Sequence, residues 1–319
     1  MLNFLLRRSI SSLIVILTVT VITFFILNWL PGDPALLILG LEANPEQLES
    51  LRETLGFYQP WYQQYFSWLI NLTKGDWGQS MVFGEEVLTL VIQRLPVSLS
   101  LTFFSVFIAL AISFTLGIWS AIKKNSWIDL FSRSVMQLGM AIPSFWIALI
   151  LMIIFGAWLK VLPTSDFVHP SEGFLPFLKS ILLPSLALAL AEVGVLIRIV
   201  RSSMLTALNE DYMEMVAIRG LPNHIKYVKY ALRDALVAPI TVLGVQLAKL
   251  IAGTVVIESV FALPGIGRLL LVAVEHRDII LLQGLIIFIT VFIVLVNLLM
   301  DIIYSYIDPR IKLDKEAGI

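Results

Sequence analysis

Two ionisable side chains, Glu192 and Lys249, stand inside otherwise uncharged apolar stretches. A carboxylate and an ammonium placed this way do one of two things. They neutralise each other, or they bind the charged ends of a zwitterionic solute. Other reactive sets are missing from the sequence. His169, His224 and His276 lie far apart and match no metal-ligand spacing. Cysteine is absent, which excludes disulfides, thiolate catalysis and cysteine-ligated metals. There is no Gly-x-x-x-x-Gly-Lys-Ser/Thr loop to cradle nucleotide phosphates. Gly265 and Gly267 lack both a preceding strand and a third glycine, and so suit a tight turn instead. Neither a Gly-x-Ser-x-Gly elbow nor a His-Glu-x-x-His helix occurs. The expectation is a chain that is no enzyme and holds no metal or cofactor of its own.

The elements that must position Glu192 and Lys249 are membrane spans. Of 319 residues, 58% are hydrophobic and 14% charged, against about 25% charged in an ordinary soluble domain. The net charge of −1 gives no basic excess for a nucleic-acid partner. A helix crossing the bilayer core needs about 20 apolar residues. Six stretches qualify: 9–30, 95–122, 134–159, 180–197, 235–257 and 279–300. Glu192 is the one charge in the fourth and Lys249 the one charge in the fifth. The first stretch is too long for a signal-peptide h-region and lacks a small-residue cleavage site, so a retained helix is expected. The third carries Pro143 as an isolated kink, with no sign of a helix broken at the midplane.

Lysine and arginine set the orientation. Residues 1–8, 123–133, 201–236 and 305–319 collect thirteen of them, whereas segment 31–96 has three against eight acids. Both termini are therefore expected in the cytoplasm. Each buried charge lies twelve residues into its span, Glu192 from Ser180 and Lys249 from Val237. At ~1.5 Å per residue in a core ~30 Å thick, their depths differ by about 6 Å. A charge at the bilayer centre costs at least about 2.5–3.5 kcal/mol, so each must face the protein interior and find a partner. A pair across the fourth and fifth spans is expected, either as a structural tie or as a grip on a peptide's termini.

Two connections carry information. In 31–96, Asn44 reads as an N-cap with Pro45 behind it, Leu48, Leu51 and Leu55 recur at helical spacing, and Gly56 closes the helix. Trp61, Tyr62, Tyr65, Phe66 and Trp68 suit a second helix at headgroup level. That loop is read either as a cap on the outer mouth or as a contact for a substrate-delivering protein. Segment 201–236 supplies 36 mostly polar residues where a short turn would do. Tyr212, Met215 and Val216 form a small apolar face, Gly220 ends that helix, Leu221 and Pro222 break the chain, and Asn223 caps a second helix. An amphipathic helix in this place suits docking of a soluble partner or lying on headgroups.

Read in order, a set of short runs resembles the permease family of ATP-binding-cassette importers, in its dipeptide, oligopeptide and nickel branch. They are Pro31-Gly32-Asp33-Pro34; Leu55-Gly56 with Gln59-Pro60; Gln64-Tyr65; Gly75-Asp76, Gly78 and Ser80; and Arg94-Leu95-Pro96. Pro143 with Phe145-Trp146, Arg201-Ser202-Ser203-Met204, Asp211-Tyr212 and Arg219-Gly220-Leu221 follow. Pro264-Gly265-Ile266-Gly267-Arg268, Arg277-Asp278 and then Asn297, Asp301, Tyr304 and Asp308-Pro309-Arg310 complete the set, over roughly residues 1–312.

The resemblance implies an all-α membrane protein with the type I importer permease fold. Its parts would be a first helix within 1–30, an extracytoplasmic partly helical loop 31–96, a five-helix core 97–312 and a tail 313–319. The coupling helix, in loop 201–236, would dock the ATPase through Tyr212, Glu214, Ala217, Gly220 and Leu221. Met215 and Val216 stand where the family usually has small residues, and Asp234 where asparagine is more usual. Implied partners are a homologous second permease, two P-loop ATPases that use ATP and magnesium, an extracytoplasmic solute-binding protein and the lipid bilayer of a bacterial or archaeal cytoplasmic membrane. Di- and oligopeptides are the expected cargo, with nickel or other metal chelates and glutathione as alternatives. A gradient-driven secondary transporter is the rival from another class.

Overall fold

The computed structural model describes residues 2–29, 44–54 and 58–307. The runs at 31–34, Leu55-Gly56 and Asp308-Pro309-Arg310, the side chain of Tyr304 and the tail 313–319 lie outside these described residues. Among the described residues the chain is helical, with no strand and one isolated bridge between Gln79 and Glu86. The helices are α1 (Leu2–Trp29), α2 (Pro45–Thr54), α3 (Trp61–Lys74), α4 (Val87–Ile122), α5 (Trp127–Ala141), α6 (Ser144–Leu151), α7 (Phe174–Leu208), α8 (Asp211–Ile218), α9 (Val237–Val260), α10 (Ile266–Glu275) and α11 (Ile279–Ile307). The last turns of α6 continue as a π-helix over Met152–Trp158, and stretch 223–235 is helical with a π turn at Lys226–Ala231.

Among the described residues, five continuous helices are long and apolar enough to cross a membrane: α1, α4, α7, α9 and α11. The third expected span is broken, and counted as one bent span it brings the total among the described residues to the six expected. Residues 134–159 are not one rod with a kink, because α5 and α6 meet at an angle of 109°. Proline has no N–H and pushes the preceding residue out of the helical region. Ile142 is extended (φ −96°, ψ 123°), and Pro143 starts α6 afresh, its carbonyl accepting from the N–H of Trp146 at 3.1 Å. Pro96 and Pro184, by contrast, stand inside continuous helices.

The chain falls into two compact units. The first combines residues up to Pro96 with Leu269–Leu298. Asn44 caps α2 as expected, its Oδ1 accepting from the N–H of Glu46 at 3.2 Å. Helix α3 packs on α1: Tyr65 Oη and Thr20 Oγ1 are 2.8 Å apart, and the Phe24 ring lies 5.3 Å from Tyr65 and 5.9 Å from Trp68. Trp61, Tyr62 and Phe66 stay exposed, although the Trp61 ring also lies 5.4 Å from that of Phe25 on α1. Asp278 caps α11 through the N–H of Leu281 at 3.0 Å and also accepts from Ser80 Oγ (2.6 Å) and the N–H of Val82 (3.1 Å). That one carboxylate ties the loop before α4 to the start of α11.

The second unit holds Val97–Arg268 and the residues from Leu299 on. Helix α7 is its hub, with α5, α6 and α9 packed around it. Phe177, Ile181, Leu183 and Leu188 of α7 form one core with Leu101, Ala148, Leu250 and Ile257. Close approach replaces bulk against α5: a Cβ on Gly194 would lie 2.6 Å from the carbonyl oxygen of Met136. Such small-residue contacts let helix backbones approach where lipid gives no hydrophobic drive. Helix α7 also runs on to Leu208, so the first eight residues of segment 201–236 belong to it.

Candidate functional site

The platform for α8 is built by an ion cluster. Asp129, wholly buried near the start of α5, receives a two-pronged contact from Arg201 of α7, with Nε to Oδ1 at 2.8 Å and Nη2 to Oδ2 at 3.1 Å. Ser120 Oγ donates to the same carboxylate at 2.6 Å, the N–H of Asn125 at 3.0 Å, and Arg133 Nη2 lies 3.4 Å away. Planar bidentate pairing with a carboxylate is what arginine provides and lysine does not. The ends of α4, α5 and α7 are thereby locked together. One turn beyond Arg201, Met204 and Ala207 join Ala121, Ala231 and Ala235 in a small core.

Helix α8 lies on that core, in a way the sequence pattern did not show. Its buried residues are Met213 and Val216, while Tyr212 and Met215, expected on the apolar face with Val216, point outward. Ile218 is 85% exposed. Burying a side chain of this size is worth about 1.5–3 kcal/mol, which the fold of this chain leaves unrealised at Ile218. Glu214, Ala217 and Gly220 are exposed and Leu221 half-buried. Asp211 and Glu214 in the first turn suit the positive end of the helix. Gly220 ends it in the left-handed region (φ +65°), where a side chain is strained. Pro222, rather than Asn223, takes the cap position of the next helical stretch. Burial, with Asp234 and Glu210 nearby, raises the Tyr212 phenol above its ordinary value, so it stays neutral. The five residues expected to dock a partner thus share one helix and its terminating turn.

At the far end of α9 a second buried carboxylate is held quite differently. Glu258 accepts from Ser98 Oγ at 2.5 Å and from the N–H of Arg268 at 3.0 Å, and the same Ser98 Oγ accepts from the N–H of Ile266 at 2.9 Å. The run from Pro264 to Arg268 folds around this carboxylate. A Cβ on Gly265 would collide with it, and one on Gly267 would lie 2.5 Å from Cα of Val255. These glycines are needed for close approach, which is the tight turn expected of them. Sequence reasoning missed Glu258 and Asp129. Glu258 follows the apolar run 235–257 by one residue, and Asp129 is the sole acid in 123–133; both signals were there to weigh.

Glu192 and Lys249 lie apart from all this, on α7 and α9. Gly253 of α9 approaches Leu188 of α7 so closely that a Cβ there would be 2.9 Å from Leu188 Cδ1. Four residues along each helix in opposite directions, Lys249 comes opposite Glu192. Lys249 is the charge acting on the Glu192 carboxylate. Among the described residues, however, no ion pair within 4.0 Å joins the two, and Lys249 is exposed where Glu192 is half-buried. His169 contacts Ser171 at 2.7 Å, and no cluster of three metal-type ligands forms among the described residues.

Comparison with known proteins places these features in a family. The family described as "binding-protein-dependent transport system inner membrane component" matches residues 113–313, and its N-terminal companion matches residues 1–102. A Brucella abortus protein with the provisional name peptide transport system permease protein is 38% identical, over 97% of this chain and 98% of its own. The dipeptide transport system permease protein of Alkalihalophilus pseudofirmus is 34% identical, over 98% of this chain and all of its own. The glutathione transport system permease protein of Escherichia coli is also 34% identical, over 98% and 99%. The broken α5–α6 pair removes one sequence argument against a secondary transporter, but the family match decides the class. The chain is a multi-pass membrane protein and belongs to the family of binding-protein-dependent transport permeases, in the peptide and nickel branch of the ATP-binding-cassette importers.

Proposed function

We propose that this chain is one of two transmembrane subunits of an ATP-driven importer of di- and oligopeptides, with both termini in the cytoplasm of a bacterial or archaeal cell. The observation that carries the reading is α8: a short helix held on a firm core, with Met215 and Ile218 left bare beside Tyr212, Glu214 and Ala217. Two P-loop ATPase subunits supply hydrolysis, one docking on α8 and the other on the matching helix of a homologous permease. ATP closes the ATPases and drives both helices, and an extracytoplasmic binding protein delivers the solute. The basic residues of 123–133 and 201–236 support the cytoplasmic assignment of this end. Peptides are favoured as cargo because the relatives are named for peptide, dipeptide and glutathione transport, and glutathione is itself a peptide.

The test is uptake of a labelled tripeptide by proteoliposomes containing the permease pair, its ATPases and its binding protein. ATP should drive accumulation, a non-hydrolysable analogue should not, and ionophores that collapse ion gradients should leave the rate unchanged. Uptake that ionophores abolish and ATP does not support would put the chain with the secondary transporters. Accumulation of a nickel chelate but of no peptide would move the cargo to the metal alternative.

A further inference from the structure

The uncovered face of α9 differs from those of the other spans. Thr241, Val245, Lys249, Ala252, Val256 and Ser259 are exposed, at steps of three and four that make one stripe. All are small, β-branched or polar except Lys249. On α1 the exposed residues include Leu13, Ile14, Leu17, Ile22 and Ile26, side chains that suit acyl tails. A lysine in mid-span does not face hydrocarbon, since intramembrane charges turn to protein or to water-filled cavities. Glu192, the carboxylate on which it acts, stays beyond ion-pair distance. Beside it on α9, Gln246 is 2% exposed and its Nε2 has no hydrogen-bond partner. Buried polar groups normally have one.

We propose that the α9 stripe is a wall of the translocation pathway and that Lys249, with Glu192 across from it, is a station for the charged termini of a peptide in transit. The ammonium of Lys249 takes the peptide carboxylate and Glu192 takes the peptide ammonium. The separation of the two side chains is what leaves each free to meet solute. This inference rests on the peptide-import reading above.

Two experiments on the assembled importer test it. The chain has no cysteine, so single cysteines can be placed without background from this subunit. Thr241→Cys, Lys249→Cys and Val256→Cys should react with a charged, water-soluble thiol reagent roughly tenfold or more faster than Leu17→Cys, because only hydrated thiolate reacts. Trialanine should slow that reaction at Val256→Cys, which keeps Lys249. Equal inertness of all four would place the stripe against lipid or the second permease and overturn the proposal. The other experiment compares uptake of trialanine and trialanine amide. Lys249→Met should cut any preference for the free carboxylate by roughly tenfold, the size of a charged hydrogen bond, while Lys249→Arg keeps it. An unchanged preference in Lys249→Met would overturn the station. Should Lys249→Met fail to accumulate, the charge-balanced pair Glu192→Gln with Lys249→Met is measured instead. If wild type takes up neither probe, the peptide reading itself falls, an outcome distinct from wild-type uptake that Lys249→Met leaves unaltered.

Discussion

The turn that follows α9 and the helix that follows α7 are both short connections after a span, and they end up as opposites. At the end of α9, Glu258 is fully enclosed, Ser98 and the amides of Ile266 and Arg268 are spent on the same small network, and Gly265 leaves room for the carboxylate as Gly267 does for Val255. After α7, Met213 and Val216 are enclosed but Met215 and Ile218 are left to solvent. The first region is complete within one chain; the second is, on the function proposed above, half an interface. A buried carboxylate satisfied by neutral donors marks architecture, while bare apolar side chains on a firmly seated helix mark a place where another molecule belongs.

That contrast can be broken by substitutions, ordered by expected loss of stability. The greatest loss is expected from Asp129→Ala in the platform under α8. It leaves the Arg201 guanidinium without its carboxylate, and removing one partner of a buried pair costs about 3–5 kcal/mol. Thermal unfolding in detergent should show it, and a midpoint near wild type would mean the cluster does not hold α4, α5 and α7. Next comes Gly265→Ala in the enclosed turn. The new Cβ displaces the Glu258 carboxylate, an overpacking cost of about 1–3 kcal/mol. An unchanged unfolding midpoint would mean that this turn is less finished than its geometry indicates. Smaller again is Asn44→Ala, which removes one cap from α2 at about 1 kcal/mol. Proteolysis of the 44–54 segment should speed up while the spans stay protected.

Much of this was legible in the sequence, for physical reasons. Charge-free runs of span length located the membrane helices, because the bilayer imposes that length on any crossing helix. The α8 region stood out because a polar stretch with Gly220 and Pro222 cannot be a span. The break at Pro143 was not legible in its size. Pro96 and Pro184 are the same residue type in equally apolar surroundings, yet their helices continue. What a proline does in a span depends on which neighbours satisfy the freed backbone groups, and those neighbours are distant in sequence. The same reason hid Glu258 and Asp129, whose partners lie 160 and 72 positions away. The face of α8 was misassigned because eight residues give too few apolar positions to fix its rotation.

The central claim, that α8 transmits ATPase motion to the spans, is tested most directly by Ala217→Glu. Ala217 is exposed and helical, so the change should alter stability by no more than about 0.5 kcal/mol, within the usual range for surface positions. It is a cleaner probe than Gly220, whose positive φ would add strain of its own. The measurement is ATP-driven tripeptide uptake alongside ATP hydrolysis in the same proteoliposomes. The account predicts wild-type abundance and unfolding midpoint, with uptake lost and hydrolysis no longer stimulated by loaded binding protein. Normal uptake with full stimulation in Ala217→Glu would contradict it.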